Sequence, residues 1–255
     1  MKVIVLLNMK GGVGKTLLST NIASGLSKKN KVLVIDLDPQ GNATMMFTKN
    51  KFPEHHVGDL LMSDFSEKEV KDIILKVDKN VDLLPSDLSL VENEVQLRIQ
   101  SSFPQHERVR RIINTVKKEY DYVIIDCPPT LSLLTVNAIV ASNLVIIPIK
   151  PDIYAIRGFM ATTKNMLNLK KNYGLKVDYR IVFNDHNKNN DEMDIINQVR
   201  ESADDKCFKT IIRHQSKPVT KATTEGVPVI YGSSNVAEDL KKFVKEVEDY
   251  FNVGG

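Results

Sequence analysis

The chain has no tryptophan and only two cysteines in 255 residues. Cys127 and Cys207 stand far apart with no C-x-x-C spacing, which argues against a disulfide framework or a zinc site and suits a reducing compartment. Each reads as a small buried hydrophobe. No apolar run approaches the ~18–20 residues needed to span a bilayer. Met1-Lys2-Val3-Ile4 looks superficially like a leader, but its apolar run is short and leads straight into a glycine-rich loop. It reads as a first strand, and no export signal is visible. The formal net charge of +3 is too small to diagnose a polyanionic partner, so any such argument rests on local clustering. There is no internal repeat and no low-complexity segment.

What is present is an ordinary globular composition, 42% hydrophobic and 26% charged, on a chain long enough for one large α/β domain. Short β-branched runs alternate with longer helical patterns. The expected strands are 3–8, 32–36, 81–85, 122–126, 144–149 and 177–183, with a further strand beginning near Cys207. The expected helices are 15–29, 86–100, 107–119, 132–141, 153–172, 192–203 and 235–251. Several strands are apolar throughout, as in strands covered on both faces. The alternation predicts a mainly parallel twisted sheet flanked by helices, in a single domain over residues 1–255. The polar stretch 185–191 reads as a surface loop, and no helix-turn-helix extension is expected before the first strand.

Directly after the apolar run Val3–Leu7 comes Lys10-Gly11-Gly12-Val13-Gly14-Lys15-Thr16. Glycines let successive backbone N–H groups turn inward and cradle phosphate oxygens. Lys15 would reach the β- and γ-phosphates, and the Thr16 hydroxyl would ligate Mg²⁺. A helix starting near Lys15 adds its positive end to the site. The ordinary phosphate-loop pattern opens with glycine where this chain has Met9; here Lys10 is an extra charge. The strand-before, helix-after context makes Gly11 to Leu17 a nucleotide cradle rather than a glycine turn between two solvated lysines.

Two strand-end aspartate motifs accompany it. Asp36-Leu37-Asp38-Pro39-Gln40-Gly41-Asn42 is the composition of a plain turn, yet it follows a strand, and α/β sheets place ligands at such ends. Val123-Ile124-Ile125-Asp126-Cys127-Pro128-Pro129 has the Walker B form, whose aspartate commonly contacts Mg²⁺ through a water. Alone, Asp126 would equally cap a turn.

Taken in order, these three motifs resemble the ParA/Soj branch of the ParA–MinD ATPases, the deviant Walker A proteins that segregate plasmids and chromosomes. The resemblance covers most of the chain, including Ile147-Pro148-Ile149 with the helix beyond it and a weaker Gly226-Val227-Pro228-Val229. It implies ATP and Mg²⁺ as cofactors. Lys15 and Thr16 match the phosphate-binding lysine and the metal hydroxyl. Lys10 matches the signature lysine, which in the family crosses a dimer interface to the partner's ATP. Asp38 matches the residue that supports hydrolysis and lies near the metal, Asp126 matches the Walker B aspartate, and Asp36 is structural or outer-shell. Asn184 falls where some relatives read adenine. The family also implies a homodimer on ATP binding, a ParB-like centromere-binding partner, non-specific double-stranded DNA, no membrane, and a cytoplasmic, nucleoid-associated location.

Between Lys206 and Lys221 there is no acidic residue, and Lys209, Arg213, Lys217 and Lys221 are the expected DNA contacts because family members use basic residues in their C-terminal halves. Further clusters are Arg108, Arg110, Arg111, Lys117 and Lys118, and Lys164, Lys170, Lys171 and Lys176; all three also read as solvated helix faces. Competing readings share the nucleotide motifs. A MinD-like membrane ATPase would end in a basic lipid-docking helix, but 240–251 intersperses acidic residues and reads as a core-facing stripe. An iron–sulfur reductase would need a convincing cysteine pair. A positioning ATPase for a non-DNA cargo would look the same in sequence.

Overall fold

The computed structural model describes residues 1–99 and 104–252. Its eight strands are β1 (Lys2–Leu6), β2 (Val32–Asp36), β3 (Leu75–Asp78), β4 (Val81–Leu84), β5 (Tyr122–Asp126), β6 (Leu144–Ile149), β7 (Asp178–His186) and β8 (Cys207–Arg213). They form one sheet in the order β3-β4-β2-β5-β1-β6-β7-β8. Every neighbouring pair is parallel except β3–β4, an antiparallel hairpin at one edge. The first helices are α1 (Lys15–Leu26), α2 (Asn42–Thr48), α3 (Val57–Met62), α4 (Glu67–Ile73), α5 (Leu90–Ile99) and α6 (Arg108–Val116). They are followed by α7 (Leu133–Ala141), α8 (Ala155–Asn172), α9 (Asn190–Ala203), α10 (Ser216–Glu225) and α11 (Asn235–Asn252). The expected α/β architecture is therefore present.

Side chains alternate across each strand, so the sheet divides the core in two. Val3, Val5, Leu33, Ile35, Val123 and Ile125 face one layer with residues of α3, α6, α7, α8 and α9. Ile4, Leu6, Val32, Val34, Ile124 and Ile146 face the other, against Leu18, Ile22 and Leu26 of α1 and Leu240, Phe243 and Val247 of α11. β2, β5 and β6 are buried at every position, which is why their sequences are continuous apolar runs rather than alternating ones. The apolar stripe of α11 is spent on the core, as its pattern suggested: Val236, Leu240, Phe243 and Phe251 are all buried. Among the described residues no helix is long and apolar enough to cross a membrane.

The structure corrects several expectations. The sequence placed helix 86–100 too early: Ser86 and Asp87 belong to the connection, α5 starts at Leu90, and Gln100 lies outside the described residues. β7 runs on through His186 into the stretch read as loop, because His186 still pairs with Arg213 of β8. β3, α2, α3, α4 and α10 were not anticipated. α3 and α4 are six and seven residues long and are held by capping boxes at His56–Asp59 and Ser66–Glu69. In the basic cluster at 108–118 Lys117 and Lys118 are exposed, but the three arginines are engaged by the fold. Arg108 is fully buried, donating to the carbonyls of Leu60 and Leu61 at the end of α3, while Arg110 and Arg111 pair with Glu107 and Asp64.

Candidate nucleotide site

The phosphate loop joins β1 to α1 at the carboxyl ends of the central strands. Gly12 and Gly14 adopt φ of +73° and +92°, a left-handed backbone that costs other residues energy. No side chain caps the first turn of α1, and no acidic residue lies in it, so its donors stay open toward the loop. Lys15 is buried, and burial lowers its pKa against the opposing charges of Asp126 and Asp38. The Thr16 hydroxyl donates to Asp126 Oδ2 at 2.6 Å. β1 and β2 flank β5 in register, Leu6 and Asp36 both standing opposite Asp126, which is how residues far apart in sequence meet.

The two strand-end aspartates differ in role. Asp36 is fully buried and accepts hydrogen bonds from the Thr44 N–H and hydroxyl, each at 2.8 Å, and from the Asp38 N–H at 3.1 Å. It fastens α2 to the end of β2. Burial raises its pKa and these hydrogen bonds restrain the rise. Asp38 stands past the strand, with Oδ1 accepting from Gln40 N–H at 3.0 Å and its carbonyl from Ser86 Oγ at 2.9 Å. Asp126 is perturbed further than Asp36: burial, then the nearby Asp36 charge, raise its pKa against the Thr16 hydrogen bond and Lys15.

These residues fit a magnesium-bound nucleotide on one particular observation. Asp126 Oδ1 is buried and has no hydrogen-bond partner, an arrangement that is costly for a carboxylate unless a cation or its water faces it. The Thr16 hydroxyl beside it and the glycine N–H groups complete a donor set suited to one hydrated cation and a polyphosphate. No cluster of three histidine, cysteine or acidic side chains that could hold a metal by itself occurs among the described residues, so the phosphates and water would supply the remaining ligands.

Lys10 does not point at its own loop. Its Nζ is bound to the carboxylate of Asp152, just past β6, and lies 5.7 Å from the Tyr154 ring centroid. Its backbone N–H is held by Asn8 Oδ1 at 2.9 Å, and Asn8 in turn donates to the Pro148 carbonyl at 2.7 Å. Asn8 and Asp152 were missed in the sequence; their position just beyond strand ends was the available cue. Asn184, near the end of β7, lies under the loop and donates to the Val13 carbonyl at 2.9 Å. Beside it a cavity of about 220 Å³ opens between Gly12, Gly14 and Leu17 on one side and Asp185, His214 and Ser216 on the other. A larger cavity of about 570 Å³, between α1 and α11 near Lys28 and Lys241, meets none of the motif residues and is not the nucleotide site.

The four expected DNA contacts are not alike. Lys217 and Lys221 are exposed one turn apart on α10, and Lys209 is exposed on the edge strand β8. Arg213 is turned the other way, forked onto Asp239 of α11 at 2.6 and 2.7 Å and donating to the Asn235 carbonyl at 3.0 Å. Its guanidinium is committed to the fold. Cys127 is fully buried and burial raises its thiol pKa well above the ordinary value. Cys207 lies at the start of a different strand, so the two cysteines form no paired site.

A phosphate loop on a parallel sheet, a hydroxyl–carboxylate pair from β1–α1 and β5, and a second loop lysine define a P-loop NTPase of the deviant Walker A kind. An AAA domain family model matches residues 1–179. The sporulation initiation inhibitor protein Soj of Bacillus subtilis is 35% identical over 253 residues, covering 96% of this chain and 98% of that protein. The chromosome partitioning protein ParA of Myxococcus xanthus is 28% identical over 233 residues, covering 90% and 81%. Among solved structures, cobyrinic acid a,c-diamide synthase of Mycobacterium smegmatis, with a bound ATP analogue and magnesium, superposes with a TM-score of 0.85 at 22% identity over 100% of this chain and 97% of that one. The chain belongs to the ParA/Soj family of deviant Walker A ATPases.

Proposed function

We propose that this chain is a weak, partner-stimulated ATPase that dimerises on ATP, binds double-stranded DNA non-specifically in that state, and drives partition of a plasmid or chromosome. The observation that carries the reading is Lys10, a loop lysine held away from its own phosphate cradle at a half-exposed position. A cation so placed is available to a second nucleotide across an interface, where it would stabilise charge developing on the γ-phosphate as an arginine finger does. Bound ATP then favours the dimer, and loss of the γ-phosphate releases it.

Within one protomer, Lys15 and the glycine N–H groups orient the phosphates, and the Thr16 hydroxyl and Asp126 would hold the metal. Magnesium, when bound, supplies charge neutralisation across the β- and γ-phosphates. Asp38, past the strand end and free of the Thr44 bonds that occupy Asp36, would orient the attacking water. The base would enter the cavity beside Asn184 and His214. Lys209, Lys217 and Lys221 supply the phosphate-facing surface, and dimerisation doubles the number of such contacts. A centromere-binding protein is the expected stimulating partner, and the ATP-bound dimer would sit on the nucleoid.

Two experiments test this. Size-exclusion chromatography with light scattering on Asp38→Ala should give a dimer with ATP and a monomer with ADP; a monomer at saturating ATP sinks the dimer switch. Binding of a random-sequence duplex should appear with ATP and not with ADP or without nucleotide. Absence of binding in every state would keep the ATPase assignment and move the cargo to something other than DNA.

A further inference from the structure

The geometry points to Asn184 as a positioning residue that props the phosphate loop from beneath, independently of any contact with the base. The inference rests on the nucleotide-site reading of residues 10–16. For the loop N–H groups to converge on phosphates, the loop carbonyls must turn inward to the protein, where each needs a donor. The Gly14 carbonyl is served by the Leu18 N–H at 2.9 Å inside α1. The Val13 carbonyl receives the Asn184 side-chain amide, delivered from β7 across 171 residues of sequence and fully buried.

The fit between the two segments is close. Val13 is 1% exposed and Asn184 4%. A methyl group built on Gly14 would overlap the Asn184 amide nitrogen. Glycine at 14 therefore serves two demands, the left-handed φ of +92° and the room for this amide. Asn184 also sits on β7, between β6 and the edge strand β8 and directly after Phe183, which pairs with Ile149 and Ile211, so the prop is carried by the sheet rather than by a loop.

Without the amide, the Val13 carbonyl is left buried and unpaired, a loss worth a factor of roughly ten to a hundred in the equilibrium constant between the formed and the open loop. Once the open loop predominates, the apparent affinity falls in proportion to that constant, because ligand binds only the formed loop. The loss is the same whatever is attached to the phosphates. A base-reading residue behaves differently: its removal weakens ATP and leaves ligands with another base, or none, unchanged.

The test is calorimetric titration of wild type, Asn184→Ala and Asn184→Leu with ATP, ITP and inorganic tripolyphosphate, each with Mg²⁺, beside thermal melts of the unliganded proteins. Leucine keeps the volume and removes the donor. The expected result is a common loss of about ten-fold or more for every one of these ligands that the wild type binds, an unchanged ATP:ITP ratio, and unliganded melting temperatures lowered by no more than a few degrees. Loss confined to ATP, or wild-type affinity throughout, overturns the prop, as does a loss of affinity that simply tracks a collapse in unliganded stability in both variants. A wild type that binds none of the three ligands would instead remove the nucleotide-site reading, a separate failure.

Discussion

Lys10 and Asp152 are paired across 142 residues of sequence, with the ammonium also over the face of Tyr154. The pair ties the start of the phosphate loop to the segment after β6. If Lys10 serves a second protomer's nucleotide, this pair opens when the dimer forms. Both side chains are about 30% exposed, at 29% and 31%, so the pair is worth only about 0.2–1 kcal/mol. Asp152→Asn should therefore lower the ATP concentration for half-dimerisation by no more than about five-fold, whereas Lys10→Ala should bind ATP and fail to hydrolyse it on stimulation. Light scattering against ATP concentration, with a phosphate-release assay, checks both.

The Thr16–Asp126 pair carries a pH signature. An aspartate whose folded pKa is raised holds its proton in the fold over a range in which the unfolded chain has released it. Stability then falls as pH rises from the unfolded value near 4 through the folded value, pushed up to about 8. The unliganded protein should melt at a lower temperature at pH 8 than at pH 6. Asp126→Asn should flatten that slope and raise the pH 8 midpoint by roughly 4–8 °C, equivalent to about 2 kcal/mol, while weakening Mg²⁺-ATP binding. A slope unchanged in the variant would assign the pH dependence elsewhere.

Arg213 and Lys217, four positions apart in one basic run, should give opposite phenotypes. Arg213→Ala strands the Asp239 carboxylate, 6% exposed, at the start of α11 and should cost about 2–3 kcal/mol, seen as a drop in melting temperature. Lys217→Glu and Lys221→Glu sit on the exposed face of α10 and should change melting little, the second losing only a solvent-exposed pair with Glu225. In the ATP state they should weaken duplex binding and reduce the slope of log affinity against log salt by about one for each DNA phosphate no longer neutralised.

How far the sequence reads depends on where each residue's partner lies. β1, β2, β5 and β6 were legible because burial on both faces writes itself as an unbroken apolar run, and the loop, Thr16, Asp38 and Asp126 could be named as candidates because their chemistry is local and strand ends converge. β3 was not: Leu75–Asp78 alternates half-exposed and charged residues and exists through its pairing with β4 across the turn at Lys79 and Asn80. α10 was not, since Ser216–Glu225 is rich in threonine and buries only Ala222, so it writes no apolar stripe at helical spacing. Most instructive are the charges. Nothing near Arg108 or Arg213 in sequence announces that the first caps α3 and the second clamps α11, so basic runs overstate the free positive surface.

Gly25 offers a prediction of sign. In an exposed helix interior, glycine to alanine stabilises by about 1 kcal/mol. At Gly25, on the face of α1 against α11, the added methyl would stand 2.8 Å from Ile230 Cδ1 and 2.8 Å from Val244 Cγ1. Ile230 is the end of a flexible chain, but valine on a helix has one strongly preferred rotamer and little room to turn aside. Overpacking of this kind costs about 1–3 kcal/mol and should outweigh the gain in helix propensity. Gly25→Ala should therefore be less stable than wild type in urea denaturation. Because α1 carries Lys15 and Thr16 at its other end, a displaced α1 should also weaken ATP binding. A variant that gains stability would mean that α11 yields to the methyl, and that the α1–α11 contact is looser than these distances imply.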